Sequence, residues 1–224
     1  MLSFLAIGAA TMLRLFYVAT DEPRALDVRR VPAAGPQPTS FVPTGWLLEH
    51  QLTADLNADQ RPDKVLLLIE KKIAGQEDSG DERALIVILA QADGTWQRAG
   101  ASNKAVYCKS CFGMLGGPEG GTPELSVKKG VVVVYQEGGS REAWNSTTRF
   151  RYEPSSNRMR LIGVDEGAID RATLAVTTTS TNLLTGIQEI SVSKGESQPF
   201  KTTRHSLKMP RRYLEDYNPA EVWK

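Results

Sequence analysis

Oxygen-bearing side chains recur at regular positions in one nine-residue segment of this chain. Aspartate or asparagine occupies its positions 1, 3, 5 and 9, which are Asp55, Asn57, Asp59 and Asp63. A single short loop with this spacing can wrap a hard cation such as Ca²⁺, and the backbone carbonyl of Arg61 at position 7 would add a further ligand. Three carboxylates so close together repel one another unless a cation lies between them. The spacing therefore predicts a calcium site formed by Asp55, Asn57, Asp59, Arg61 and Asp63.

The candidate ligands favour Ca²⁺ over other cations. All of them are oxygen atoms on a flexible loop, which suits Ca²⁺ better than Mg²⁺, and no histidine or cysteine adjoins them as zinc would require. Gln60 stands at position 6, where glycine usually permits the sharp turn, and Leu66 stands at position 12, so the loop is not an EF-hand.

A second interpretation of the same loop stays open at this point. Aspartate and asparagine side chains also cap the backbone of solvated turns without any metal. Under either interpretation the loop is expected to be structural, because a catalytic ion gathers acid–base groups around it and none is evident here.

The two cysteines, Cys108 and Cys111, allow three kinds of chemistry. A thioredoxin-type redox site needs the pair at the start of a helix, and the glycine-rich sequence that follows predicts none. Zinc needs two further ligands, and the two histidines of the chain, His50 and His205, are distant in sequence. The third interpretation is a local disulfide formed in an oxidising compartment, which would fix this loop more than the whole fold.

No assembled catalytic set is visible in the sequence. No serine stands in a nucleophile elbow, and the glycine-rich stretch from Gly113 to Gly121 lacks the Gly-Lys-Ser/Thr ending of a phosphate loop. The aromatic residues Tyr135, Trp144, Phe150 and Tyr152 are expected mainly in the core, with a carbohydrate-stacking surface as the alternative. We therefore predict a protein that is not an enzyme, while a hydrolase or a thiol-redox enzyme of the cell envelope is the alternative.

The elements that must position these residues are predicted to be β-strands. From Trp46 to Lys194 the chain shows about ten short apolar or alternating runs separated by turn signals, at roughly 8 to 14 residue intervals. The last two runs, Leu174–Thr179 and Gly186–Lys194, read as a hairpin. The expected fold is all-β, either an antiparallel sandwich or propeller-like twisted sheets, since strands this short need two layers to bury their apolar faces.

The acidic loop and its flanking strands resemble a known family. A strand, the pattern Asp-x-Asn-x-Asp-x-x-x-Asp and a second apolar strand, within residues 46–71, are similar to the FG-GAP or VCBS type of repeat. The resemblance implies a calcium-binding loop inside a β-hairpin of an extracellular protein. Only one copy is present, so a full propeller of equal blades is not expected. The rest of the chain resembles bacterial exported proteins and implies no activity.

Four segments are predicted along the chain. Residues 1–20 are mostly apolar and read as a signal peptide or N-terminal anchor. Residues 21–44 are rich in proline and read as a linker. Residues 45–200 form the β domain, and residues 201–224 form a C-terminal tail. These segments predict a periplasmic, secreted or membrane-tethered protein that meets a membrane only through its N-terminal segment.

Charge narrows the expected partners. The chain has 224 residues and a net charge of +1, with both signs interspersed, which argues against nucleic acid as the main partner. The predicted function is thus that of a non-enzymatic exported β-rich binding domain with a structural calcium-type loop. Its partner is expected to be another protein or a glycan of the cell envelope.

Overall fold

The computed structural model describes residues 25–77 and 79–218, which fold into two antiparallel β-sheets that are not closed into a barrel. The first sheet has the strand order β1-β5-β4-β3-β2. Its strands are β1 Ala34–Gly35, β2 Trp46–Ala54, β3 Asp63–Glu70, β4 Arg83–Ala90 and β5 Trp96–Ser102. The predicted all-β fold is confirmed, and of the two predicted architectures the sandwich is the one observed.

The second sheet is a meander in which each strand pairs with the next one along the chain. Its strands are β6 Glu124–Lys128, β7 Val131–Gly139, β8 Glu142–Glu153, β9 Arg158–Asp170, β10 Ala175–Asn182, β11 Ile187–Ser193 and β12 Lys201–Ser206. Tight turns make this order possible. Between β6 and β7, Lys129 (φ 50°) and Gly130 (φ 72°) both adopt the left-handed conformation that a two-residue type I′ hairpin requires.

The main hydrophobic core lies between the two sheets. From the first sheet it takes one face of β3 and β4, and from the second sheet it takes inward residues of β7, β8 and β9; its members include Val65, Leu67, Leu85, Val87, Val132, Val134, Phe150 and Leu161. The opposite face of β3 and β4 is also buried, through Leu66, Leu68, Ile86 and Ile88. Burial on both faces explains why these two strands are continuous apolar runs instead of alternating ones.

The residues that cover this second face correct one prediction. Residues 25–44 are not a free linker, because Leu26, Val31 and Phe41 are buried against the first sheet. Arg98 on β5 donates hydrogen bonds to the carbonyl oxygens of Val28 (2.9 Å) and Val31. Part of this proline-rich backbone is therefore held by a side chain and not by strand pairing. Composition predicted an extended chain, but three well-spaced apolar side chains were enough to dock it.

The C-terminal segment also belongs to the folded domain. Residues 201–206 form β12, and Leu214 and Tyr217 are buried in the main core, where Tyr217 packs edge-on against Phe150 at 5.9 Å between ring centroids. The domain boundary predicted at residue 200 is therefore too early. Burial of Leu214 also explains Gly100, since a Cβ there would lie 2.9 Å from a Leu214 methyl carbon.

The last predicted hairpin exists, but its turn lies further along the chain. Strand β10 runs to Asn182, so the Thr-Ser-Thr-Asn sequence is strand, and the turn falls at residues 183–186. β10 pairs without a bulge with β9 on one side and β11 on the other, and this pairing holds it as a strand although it consists mostly of threonine and serine.

The predicted signal peptide or anchor, residues 1–20, lies outside the described residues. Within residues 25–77 and 79–218, no helix has the length and apolar character needed to cross a membrane.

Candidate functional site

The acidic loop connects β2 to β3 and is held by its own side chains. The Asp55 carboxylate accepts hydrogen bonds from the backbone N–H groups of Asn57 (3.3 Å), Asp59 (3.2 Å) and Gln60 (2.9 Å). The Asn57 side-chain oxygen accepts a second bond from the Asp59 N–H at 3.1 Å. Each of these is a local side-chain-to-backbone bond of the kind that stabilises tight turns.

The backbone of this loop is left-handed at two non-glycine residues. Ala58 has φ 63° and Gln60 has φ 67°. Gln60 occupies position 6, so the loop keeps the conformation for which glycine is usually selected, at a cost of about 1 kcal/mol.

Asp59 is neutralised from within the chain. Its carboxylate accepts the Arg61 N–H at 2.8 Å and the Asn57 amide at 2.6 Å, and it contacts the Arg61 guanidinium. Partial burial works in the opposite direction, but these hydrogen bonds and the Arg61 charge hold the pKa of Asp59 below its usual range. The same guanidinium donates to the Ala90 carbonyl oxygen at 3.0 Å, which ties the loop to the end of β4.

Asp63 points into the fold and not toward the other three side chains. It is fully buried, and its two carboxylate oxygens accept the N–H groups of Leu56 (2.8 Å) and Ala90 (2.9 Å). Burial raises the pKa of Asp63, the two N–H donors oppose that rise, and the charges of Asp59 and Asp55 add to it. Asp63 thus acts as a bridge between the loop and the neighbouring hairpin.

The structure brings three of the five predicted calcium ligands together. The oxygens of Asp55 and Asn57 share one N–H donor, and the Asn57 amide bonds Asp59. Among the described residues, no three His, Cys, Asp or Glu side chains form a group that could hold a metal ion. A cation would have to displace the Arg61 guanidinium from Asp59 and compete for Asp63. The bonds of the capped-turn interpretation are present, and calcium binding stays a prediction.

The cysteines lie in a second loop, between β5 and β6, which packs on β7. Cys108 and Cys111 are joined by a disulfide, with their Cα atoms 5.0 Å apart, so the predicted pairing is observed. The 3₁₀ segment Ser110–Gly116 begins between the two cysteines, and inside it Phe112 is buried beside Tyr107 and Trp144, with ring centroids 6.3 and 6.2 Å away. We call residues 108–122 the disulfide loop.

A buried arginine anchors the base of the disulfide loop. Arg83, at the start of β4, is 1% exposed and donates from Nε and Nη2 to the two carboxylate oxygens of Glu49 on β2, both at 2.7 Å. Its Nη1 donates to the Gly121 carbonyl oxygen at 2.7 Å, and its guanidinium lies 5.9 Å from the centroid of the Phe112 ring. One fully bonded cation therefore connects β2, β4 and the loop.

Two further contacts fix the loop. Asp81 accepts the Ser110 N–H at 2.7 Å and the Ser110 hydroxyl at 2.6 Å. Gly121 lies directly under Phe112, where a Cβ would come within 2.1 Å of the ring, so a larger residue cannot occupy this position. The loop is therefore tied down at both ends.

The tip of the disulfide loop is apolar and exposed. Met114 is 83% exposed and Leu115 is 49% exposed, the former being the largest exposure of any large hydrophobic residue in the described chain. Single exposed apolar residues are common, but two adjacent ones on an anchored loop mark a candidate contact surface.

The other chemistries considered for this chain find no support in the arrangement. Cys111 lies in the 3₁₀ segment Ser110–Gly116 and no α-helix starts at the pair, so the helix of a thioredoxin-type site is missing here, and both sulfur atoms are used by the disulfide. His50 lies on β2 and His205 on β12, in different sheets and both exposed. Of the four aromatic residues considered, Phe150 is in the core, as predicted.

Sequence reasoning did not identify Arg83, Glu49 and Phe112, which hold the disulfide loop in place. The only local hint is an arginine directly before the apolar run of β4, since a charge there must find a partner. Its partners come from residues 34 and 38 positions away, which no local pattern reveals.

Comparisons with known proteins add no relatives. No family model matches the chain, and neither the curated proteins nor the solved structures contain a significant match to it.

Proposed function

We propose that this chain is a non-enzymatic, exported binding domain, and that it contacts a partner protein through the tip of the disulfide loop. The observation that carries the proposal is the pairing of an exposed apolar tip, Met114 and Leu115, with a deeply anchored base at Arg83 and Phe112.

The anchored base matters for binding energy. A loop that is already ordered loses little conformational freedom when a partner closes on it, so more of the contact energy appears as affinity. The disulfide, Arg83 and Asp81 all reduce the freedom of this loop before binding. A mobile loop with the same two apolar side chains would bind more weakly.

The chemistry of the tip favours an apolar pocket on a protein. Methionine is flexible and polarisable and adapts to irregular apolar surfaces. A glycan would call for flat aromatic faces and hydrogen-bond donors, and the aromatic residue of this loop, Phe112, packs with Trp144 and the adjacent Tyr107 instead. Export is supported by the disulfide, since such bonds persist in oxidising compartments.

Charged substitutions at the tip are expected to abolish partner capture. The double variant Met114→Asp/Leu115→Asp places two charges where an apolar pocket would close, which should weaken binding by about 100-fold. Capture from periplasmic or cell-surface extracts would be quantified side by side for wild type and variant. Leu184→Asp is the control, because Leu184, in the β10–β11 turn, is 48% exposed and so matches Leu115.

The outcome distinguishes binding through the loop tip from non-specific binding to exposed apolar residues. A protein retained by wild type and by Leu184→Asp, but lost with the tip variant, supports the proposal. A protein retained equally by all three chains places the contact elsewhere.

We also propose that the acidic loop binds Ca²⁺ and that the bound ion stabilises the same domain. The proposal is supported by the hydrogen bonds that bring Asp55, Asn57 and Asp59 close together, and by the left-handed backbone of Gln60 at position 6. A cation held there would cross-link the ends of β2 and β3, and it would replace the Arg61 guanidinium as the neutralising charge.

Calcium is then expected to raise the melting temperature. At about 100 times the dissociation constant the gain is about 2.7 kcal/mol, or roughly 5 °C or more for a domain of this size. Thermal unfolding with Ca²⁺ and with EGTA measures it. Asp59→Ala should remove the difference, whereas Asp93→Ala, in an exposed turn where Asp93 caps Thr95 N–H at 2.9 Å, should keep it. An identical melting temperature in Ca²⁺ and EGTA for the wild-type chain rules out stabilisation by bound calcium.

A further inference from the structure

Strand β12 is an open edge of the second sheet. Among the described strands it pairs only with β11, and all six of its residues, Lys201–Ser206, are exposed. The opposite edge of the same sheet, β6, instead lies close to β2 of the first sheet. An unpaired edge presents a row of N–H and C=O groups that can template another strand.

The register shows which backbone groups are free. β11 and β12 pair without a bulge from Ile187↔Ser206 to Val192↔Lys201, and the Leu207 N–H donates to the Gly186 carbonyl at 2.7 Å. Hydrogen-bonded pairs alternate in an antiparallel ladder, so residues 201, 203 and 205 bond β11. The N–H and C=O groups of Thr202, Arg204 and Ser206 therefore point away from the sheet.

Positive charge surrounds this edge. Between residues 194 and 208 the chain carries four lysine or arginine residues and one glutamate. Arg204 is two-thirds exposed and lies 3.7 Å from Glu189 on β11, and Lys201 projects from the opposite face of the strand. Apolar side chains stand at both ends of β12, where Phe200 is 56% exposed and Leu207 is 36% exposed.

We propose that β12 binds an extended acidic polypeptide segment by strand addition. The outward backbone groups of Thr202, Arg204 and Ser206 would pair with the segment, Lys201 and Arg204 would face its carboxylates, and Phe200 would contact an apolar residue at its end. Strand addition takes its affinity from main-chain hydrogen bonds and its preference from side chains at alternate positions. This surface is separate from the disulfide loop and does not depend on the function proposed above.

A second copy of this chain fits the same edge poorly. The two-fold antiparallel pairing that uses all three outward residues sets Arg204 opposite Arg204 of the other copy. Like charges directly opposite each other on neighbouring strands are destabilising. An acidic strand turns the same geometry into attraction.

The test uses the whole chain and a short capped peptide of valine and glutamate, with glutamates on both faces of the strand because Lys201 and Arg204 project from opposite faces. Binding of the fluorescently labelled peptide is followed by anisotropy. A peptide with glutamine in place of glutamate tests charge, and one with alternate amides N-methylated tests backbone pairing. The protein variants are Lys201→Gln/Arg204→Gln and Thr202→Pro, with Lys128→Gln/Lys129→Gln near the other edge as the control.

The expected pattern is specific to strand addition. Lys201→Gln/Arg204→Gln should weaken binding about fivefold, since each exposed cross-strand charge pair contributes a fraction of a kcal/mol. Thr202→Pro removes an outward N–H and leaves the backbone ladder with β11 intact, so it should weaken binding about tenfold, while loss of the exposed Ser191–Thr202 hydroxyl bond (2.8 Å) lowers the melting temperature only slightly. The control variant should bind as wild type does.

Three results would overturn the proposal. Equal binding of the N-methylated peptide would mean simple charge attraction. No binding at millimolar peptide would mean that Lys201 and Arg204 only guard the edge against pairing. A concentration-dependent dimer in sedimentation, lost in Thr202→Pro, would identify a second copy as the occupant.

Discussion

The Glu49→Ala variant is expected to unfold at markedly lower urea concentration than wild type, with a loss of about 3 kcal/mol in the free energy of unfolding. Arg83 is 1% exposed, and Glu49 supplies two of its hydrogen bonds, both at 2.7 Å. Removing the carboxylate leaves a buried guanidinium bonded to Gly121 but without an opposite charge. That uncompensated charge, more than the lost contact itself, causes the destabilisation.

Replacing both partners should cost less than replacing Glu49 alone. In Glu49→Ala/Arg83→Met the buried charge is gone, and methionine fills part of its volume, which often restores much of the stability lost when one partner is removed. Equilibrium urea unfolding of the single and double variants measures the coupling between the two residues. Arg141→Ala, in the exposed Arg141–Asp170 pair, is the control and should unfold as wild type does.

Glu49→Ala should also loosen the disulfide loop. Arg83 holds the Gly121 carbonyl and faces Phe112, so a shifted guanidinium releases the loop from its base. Amide hydrogen exchange should then rise in residues 108–122 and stay unchanged in β8 and β9. If Glu49→Ala is as stable as wild type, water and Gly121 satisfy Arg83 and the ion pair does not anchor the loop.

The parts of the fold that were predictable are those with local causes. Apolar runs predicted β3 and β4, and turn signals separated the runs, as Gly130 (φ 72°) does between β6 and β7. The disulfide between Cys108 and Cys111 was the interpretation left once the sequence offered neither a following helix for a redox site nor nearby ligands for zinc.

The parts that were missed depend on distant contacts. Residues 21–44 read as a linker because proline dominates local preference, yet Phe41 is completely buried once the first sheet offers it an apolar face. Strand β12 has a polar sequence with no apolar alternation, and only pairing with β11 makes it a strand. In both cases tertiary partners outweighed local propensity.

The acidic loop shows how one pattern supports two structures. Its spacing predicts calcium ligands, and the same spacing places Asp55 and Asn57 where they cap backbone N–H groups. Arg61 decides between a charged and a neutralised loop, because its guanidinium contacts Asp59. The spacing alone gave Arg61 only a backbone role, so the ion pair was not predicted.

Asp63 is the residue of this loop whose removal should cost most. In Asp63→Ala two N–H groups, of Leu56 and Ala90, lose their acceptor, and the Leu56 N–H is buried. Unsatisfied buried donors cost roughly 1–3 kcal/mol each, so we expect a loss of about 3 kcal/mol in urea unfolding. Asp63→Asn keeps one acceptor and turns an N–H donor toward the other amide, so it should lose about half as much. Asp93→Ala, in an exposed turn, should change little.

The pH dependence of the free energy of unfolding distinguishes the effect of the Asp63 charge from the effect of the side chain's shape. Burial raises the pKa of Asp63 in the folded chain above its value in the unfolded chain. Between those two values the folded chain binds more protons, so the free energy of unfolding falls as pH rises through that window and is level above it. The amide side chain in the Asp63→Asn variant does not titrate. The variant's loss in free energy of unfolding, relative to wild type, should therefore be larger at the acidic end of the window than at pH 7. A constant difference at every pH would show that Asp63 keeps its ordinary pKa and that only its geometry matters.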